Sequence, residues 1–336
     1  MERQFARPRL VVSRCLEFDA CRYDGSRIPS ELVAALRPRA DLIPVCPEVE
    51  IGLGIPRETV RIVRGADGDR LVQPATGRDV TEEMRRFATE FLDRLPPIDG
   101  FLLKGGSPTS GPGGVRVYPS PGKSAPVARS AGFFAREVLR RYPDLPVEDE
   151  LRLGNARIRD AFLAAVFSLS AFREVESGGD PEELVRFHTN HKLYLGACHR
   201  GRTREMGRLV AGRAGLPPGE VFTRYRVMLR AALSRAPRHT ANVDVLLHAL
   251  GHFRGRVSDE ERAHCLRLIE RYRAGQAYLA EPRDLLRSWT IRFHDPVLID
   301  QTFFAPYPPE LALLPGEATG RGRDLWQHRN ETESSD

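Results

Sequence analysis

The chain of 336 residues is 41% hydrophobic and 29% charged, enough for the cores of about two domains and outside any disordered class. No apolar run reaches the roughly 18 residues of a membrane helix, which excludes a span of that kind. The basic start MERQFARPR leads into a strand instead of a signal segment, so a cytoplasmic protein is expected. Net charge is +6, with three lysines among 51 basic residues. Residues 1–150 hold 23 Lys and Arg against 22 Asp and Glu, whereas 199–273 hold 16 against 7. A basic surface concentrated in the second half is what a polyanion favours.

Strand and helix signals alternate over the first 145 residues. PRLVVS (8–13) reads as a strand, PSELVAALRP (29–38) as a short helix and DLIPVCP (41–47) as a second strand. VRIVR (60–64) and DRLVQP (69–74) read as a β-excursion around Asp67-Gly68. DVTEEMRRFATEFLDRL (79–95) is helical, with Asp79 or Thr81 placed to cap it. IDGFLLKG (98–105) and VRVYPS (115–120) are further strands, and ARSAGFFAREVLRRYP (128–143) is an amphipathic helix ended by Pro143. This order predicts a doubly wound, Rossmann-like parallel α/β sheet over 1–148.

DLPVEDELRLGN (144–155) reads as a linker. Six later segments, from RIRDAFLAAVFSLSAFREV to SDEERAHCLRLIERYRAG, carry apolar residues at helical spacing, which predicts an all-α domain over 155–315. Ser258 and Glu261 fit a capping box. Residues 316–336 are polar and read as a flexible tail.

Three loops follow three of the strands. Cys15 comes directly after the first, Cys46 after the second, and GGSPTSGPGG (105–114) after the third. Ligands of open parallel sheets bind beyond the carboxyl ends of the strands. The loops therefore converge on one pocket, with Cys21 in the first loop and Glu48 two residues past Cys46. Thiolates suit iron–sulfur clusters or zinc. The plainer reading makes each cysteine a packing residue and Glu48 a loop carboxylate. An odd count of five cysteines in a reducing compartment argues against disulfides. Neither SPTSG nor SPGKSAP makes a phosphate-binding loop, because the glycines and the helix that such a loop needs are missing.

In the second half, His188 and His191 read as packing before metal or phosphate ligands, and Cys198 and Cys265 as core. His248 and His252 lack the intervening glutamate of a zinc protease. Arg200, Arg202, Arg204, Arg208, Arg224, Arg226 and Arg230 are the candidate phosphate contacts. The bland alternative is a solvated, arginine-rich surface.

The motifs VSRCLEFDACRYDG, VCPEVEIGLGIPRETVRIV, GRDVTEEM and LLKGGSPTSG resemble the TudS-type thiouracil desulfidase domain. FHTNHKLYLGA, GRLVA, NVDVLLHALGHFRG and QTFFAPYPPEL resemble the YbgA-type helical domain often fused to it. The fused arrangement is similar to RudS-type desulfidases, which act on 4-thiouridine in tRNA. The resemblance implies a 4Fe–4S cluster held by three cysteines, with the open iron taking the substrate's sulfur. It implies that Glu48 is the general base and that Ser107 orients the substrate, which is a thiolated uracil, free or in tRNA. Cys15 and Cys46 fill two ligand positions. The family's third cysteine is Ser110 here, in SPTSG, at the substrate side of the pocket. The third ligand is then Cys21, Ser110 or a solvent species, with Cys21 the one expected, or else no cluster binds. The alternatives are a non-catalytic RNA-binding protein on the same fold or a zinc site in the same pocket. No protein partner is implied.

Overall fold

A computed structural model describes residues 3–212 and 215–312, so the expected tail at 316–336 lies outside the described residues. In chain order the first half runs β1 (Arg9–Ser13), α1 (Glu31–Leu36), β2 (Asp41–Val45), α2 (Pro47–Glu50), β3 (Arg61–Gly65) and β4 (Gly68–Val72). It continues with α3 (Thr81–Asp93), β5 (Gly100–Leu103), β6 (Val115–Tyr118), β7 (Ala128–Ser130), α4 (Phe133–Arg141) and β8 (Val147–Asp149). The second half is helical: α5 (Ala156–Gly178), α6 (Pro181–Ala211), α7 (Pro218–Leu233), α8 (His239–Gly251), α9 (Asp259–Arg273) and α10 (Ala280–Arg292).

The main sheet is parallel throughout, in the order β2-β1-β5-β8. β1 is central, and Leu10, Val11 and Val12 are fully buried, as a strand covered on both faces requires. β2 is an edge strand, which is where Pro44 can sit without breaking a ladder bond. The strand order reverses between β1 and β5, and the two ends are clipped there by Lys104 N–H donating to Ser13 Oγ at 2.8 Å. This is the switch point at which open sheets bind ligands.

Three sequence readings are corrected. The expected linker at 144–155 contains β8, because VED pairs with the buried β5 and completes the sheet. VRVYPS does not join the parallel sheet: β6 belongs to a second sheet of order β4-β3-β6-β7. The helix expected from 128 begins at Phe133, since Ala128–Ser130 pairs antiparallel with β6. Asp79 does serve α3, accepting from Thr81 N at 2.9 Å.

α5 is buried on nearly all sides from Phe162 to Ser170, so it is core to both halves and not an amphipathic surface helix. It packs on the sheet at Gly100, where a Cβ would lie 3.0 Å from Val166. Arg173 on α5 holds the buried Asp99 through Nη2 to Oδ2 at 2.9 Å, which ties the halves together. The capping box of α9 forms as expected through Ser258 and Glu261. α10, with Leu286 and Trp289 buried, was absent from the sequence reading. α6 breaks its helical geometry at His199 (φ −157, ψ 88), the boundary between two of the expected helices.

The histidines of FHTNHK are structural. His188 Nδ1 meets Tyr225 Oη at 3.0 Å, and His191 Nδ1 meets the Phe187 carbonyl at 2.8 Å. His191 is 4% exposed, and burial drives its pKa down to about 3 from the ordinary 6.5. The folded state therefore prefers neutral His191. That stability is complete above pH 6.5 and lost as pH falls from 6.5 toward 3, at about 1.4 kcal/mol per pH unit. His191→Leu is expected to flatten the acid side of a thermal-midpoint versus pH curve by about one proton's slope. Superimposable slopes in variant and parent would contradict this.

Candidate active site

The three strand-end loops meet in one cavity of about 270 Å³, at the small end for a small-molecule site. It is lined by Cys15, Cys21, Cys46, Glu48, Ser107 and Ser110, together with Arg57, Lys104 and Thr109. All the residues expected at the chemistry are thus brought together, and the arginines of the helical half are not.

The first loop carries two thiols because it folds back on itself: Ile28 N–H donates to Cys15 O at 2.8 Å, and Glu17 sits at φ 64 in the turn between. In the second loop Cys46 N-caps the short helix α2, and Pro47 occupies the first turn, where its missing N–H costs nothing. That puts Glu48 next to Cys46. The third loop folds tightly because Gly111 and Gly132 allow it. A Cβ on Gly111 would lie 2.8 Å from Ser107 O, and one on Gly132 2.5 Å from Thr109 O.

Cys15, Cys21 and Cys46 are all buried in the cavity, and the Cys46 thiol donates to the Cys21 carbonyl at 3.7 Å. The neighbouring Cys21 thiol lowers the pKa of Cys15 against the opposing effect of burial. Cys21 is raised, chiefly by Cys15. Cys46 is raised by Cys21 and by burial. Three cations surround the group. Arg14 lies close enough to Cys21, and Lys104 to Cys15, to favour the thiolate, and Arg57 Nη2 lies 4.0 Å from Cys46 Sγ. Arg14 Nε is buried without a hydrogen-bond partner, 3.4 Å from Asp19 Oδ2. Among the described residues no three His, Cys, Asp or Glu side chains are set around a single metal ion.

Glu48 is fixed at both oxygens. Oε2 takes Arg57 Nε at 2.9 Å and also Nη2, while Oε1 takes the Thr109 hydroxyl at 3.1 Å. Thr109 Oγ1 is in turn 2.9 Å from Ser107 Oγ. With Thr109 donating to Glu48, the Ser107 hydroxyl donates to Thr109, giving a chain from Ser107 to the carboxylate. Ser107 Oγ also accepts the N–H groups of Thr109 (3.3 Å) and Ser110 (3.1 Å), so it shapes its own loop. Ser110 is buried at the cavity wall, with its Oγ 3.5 Å from Thr109 Oγ1.

Arg57, Thr109 and Lys104 were missed from the sequence. Arg57 reaches Glu48 from nine residues away and also holds the first loop, through its N–H on Tyr23 O (2.8 Å) and Nη1 on Cys21 O (3.0 Å). No spacing rule marks a loop arginine that returns to a loop carboxylate. Its only signal is a place inside the motif GLGIPRETVRIV.

The arginines of the helical half divide. Arg224 pairs with Glu220, Arg226 with Glu176 at 2.7 Å, and Arg230 is half-buried, with burial lowering its pKa. Arg200, Arg202, Arg204 and Arg208 lie on α6 past its kink with no carboxylate partner among the described residues. No helix of the described residues is long and apolar enough to cross a membrane.

Comparison with known proteins gives the same two parts. Residues 10–150 match the family model for 2-thiouracil desulfurase, and residues 192–308 match that of DUF1722, a family of unknown function. The uncharacterized protein YbbK of Bacillus subtilis (strain 168) is 34% identical over 111 residues, 31% of this chain and 74% of YbbK. The uncharacterized protein YbgA of Escherichia coli (strain K12) is 26% identical over 159 residues, 47% of this chain and 94% of YbgA. A solved structure of a 4Fe–4S-dependent thiouracil desulfidase, TudS, is 32% identical and covers 44% of this chain and 94% of its own, with a TM-score of 0.37. The chain belongs to the 2-thiouracil desulfurase family through residues 10–150 and carries a DUF1722 domain behind it.

Proposed function

We propose that the protein is a cytoplasmic, iron–sulfur-dependent desulfidase that converts a thiolated uracil to uracil, with 4-thiouridine in tRNA as the substrate. The observation that carries this is the row of three buried thiols beside an anchored carboxylate in one cavity. That donor set, ringed by Arg14, Arg57 and Lys104, suits a cluster whose charge is negative. Cys15, Cys21 and Cys46 would hold it, with Cys21 in place of a third-loop cysteine. When bound, a 4Fe–4S cluster supplies an open, soft iron position that polarises a thiocarbonyl.

The chain's own residues do the rest. Arg57 and Thr109 fix the Glu48 carboxylate so that it faces the cavity in one orientation. Glu48 takes a proton from water as the oxygen bonds to the ring carbon. The carbon–sulfur bond then breaks, and sulfur leaves with its bonding electrons. The balance is thiocarbonyl plus water giving carbonyl plus hydrogen sulfide, with no change in the ring's oxidation state. Ser107 acts through Thr109 on the carboxylate and through its two N–H contacts on the wall that the base meets. A base within tRNA must leave its stack to reach this cavity. The cationic face of α6 past the kink supports an RNA substrate through phosphate contacts.

The test is turnover by protein purified and reconstituted without oxygen, followed as sulfide released from 2-thiouracil and from thiolated tRNA. Sulfide and uracil in equal amounts support the reading. A reconstituted protein that binds tRNA and releases no sulfide replaces it with the non-catalytic RNA-binding alternative.

A further inference from the structure

We propose that the outer face of the second sheet is an RNA-docking surface, on which a row of three arginines across β3, β6 and β7 grips the phosphates flanking the nucleotide in the cavity. The inference deepens the tRNA reading above and rests on it. It concerns the α/β half, which composition marks as nearly neutral.

The register places the row. Arg116 lies directly opposite Arg129 in the antiparallel β6–β7 pair. β3 runs parallel to β6 with Ile62 beside Val117, so Arg61 falls beside Arg116 one step earlier. Ile62 and Val117 are fully buried, which turns the flanking Arg61 and Arg116 to the other face. Like charges directly opposite on neighbouring strands are destabilising, yet this pair has no counter-charge among the described residues. None of the three arginines ion-pairs with a carboxylate among the described residues, although the nearby Arg64 and Arg70 pair with Asp69 and Asp79. Two of the three are held in place by backbone carbonyls instead: Arg61 Nη1 donates to Gly122 O (2.8 Å) and Arg129 Nη1 to Gly114 O (3.0 Å).

The local sequence supplies no acid to the row, although Arg136 finds Asp69 and Lys104 finds Glu150 in other segments. From residue 100 to 136 there are five cations and no Asp or Glu. An aromatic platform lies within the row, since the Arg61 guanidinium sits 4.1 Å from the Tyr118 ring centroid. Cationic strands interleaved with an aromatic are how sheet surfaces hold single-stranded nucleic acid. The face also adjoins the cavity. Thr59 and Val60, which line it, lead straight into β3. β6 starts five residues after Ser110, so Arg116 is within about 20 Å of the cavity wall along the chain. A polyphosphate backbone is the occupant that meets these features together.

The experiment measures binding of labelled tRNA to the full chain as a function of salt. The variants are Arg61→Gln/Arg116→Gln/Arg129→Gln, the same three positions changed to Lys, and Arg200→Gln/Arg202→Gln/Arg204→Gln/Arg208→Gln. The Gln row variant is expected to lose about 100-fold in affinity and to flatten the plot of log K against log salt by about 2. The Lys row should stay within a few-fold of the parent, because a phosphate contact needs mainly a point charge. Both row variants should still melt cooperatively, because losing the Gly122, Gly114 and Tyr118 contacts is offset by relief of the like-charged pair. A Gln row variant that binds as the parent does, with loss confined to the α6 variant, overturns the sheet surface and leaves the RNA reading standing. A parent that fails to bind tRNA at low salt overturns both. A Lys row that loses affinity together with thermal stability shows the arginines to be structural and overturns the proposal.

Discussion

Cys21→Ser protein, purified and reconstituted without oxygen, is expected to hold almost no iron, against about four irons per chain for the parent. The effect is large because Cys21 lines the same cavity as the other two thiols, with the Cys46 thiol on its carbonyl at 3.7 Å. A serine hydroxyl keeps its proton far more tightly than a thiol and is a poor ligand for iron. Ser110→Ala is the paired control. It removes the third-loop hydroxyl at the cavity wall and should leave the iron content and the visible spectrum unchanged. The reverse result, with iron kept in Cys21→Ser and lost in Ser110→Ala, would make the third loop the ligand and Cys21 a packing residue.

Glu48→Gln is expected to keep the iron and lose about 10²- to 10⁴-fold in turnover, the range that a positioned general base contributes. The amide preserves the shape of the carboxylate and can still accept the Thr109 hydroxyl, but it cannot take a proton from water. It also leaves the buried Arg57 without its anion, so thermal stability should fall by an amount of order 3 kcal/mol, as for a buried pair that loses one partner. The separation of readouts matters here. A variant that keeps its colour, melts cooperatively and turns over as fast as the parent would remove Glu48 from the mechanism.

Much of this architecture can be read from the chain. Alternating strand and helix signals point to the parallel sheet, and the 3.6-residue period marks α5 to α9. Cys15 and Cys46 can be placed because a strand's last residue fixes where its loop begins, and parallel strands all end on one side. Glu48 follows from the same argument, since a proline in the first turn of α2 ties it to Cys46. β8 could not be read in this way. VED has neither the length nor the apolar run of a strand, and it becomes one only because β5 presents an unpaired edge. β6 carries as good a strand pattern as β5, yet it joins a different sheet, because local pattern states that a segment is extended and not which neighbour it pairs with.

The candidate site divides along the same line. Residue types and their loops are local properties, and the sequence by itself determined them: the thiols, the carboxylate, the hydroxyl-rich third loop and the excess of arginine. Contacts between loops are not local, and only the tertiary structure decided those. It set Arg57 on Glu48, put Thr109 between Ser107 and the carboxylate, and brought Cys21 into one cavity with Cys15 and Cys46. It also removed Arg224 and Arg226 from the free cations by pairing them, and lined up Arg61, Arg116 and Arg129, which lie 55 and 13 residues apart in the chain. The physical reason is that charge and hydrogen-bond partners are chosen by distance in space, and strand register brings together residues that no sequence period connects.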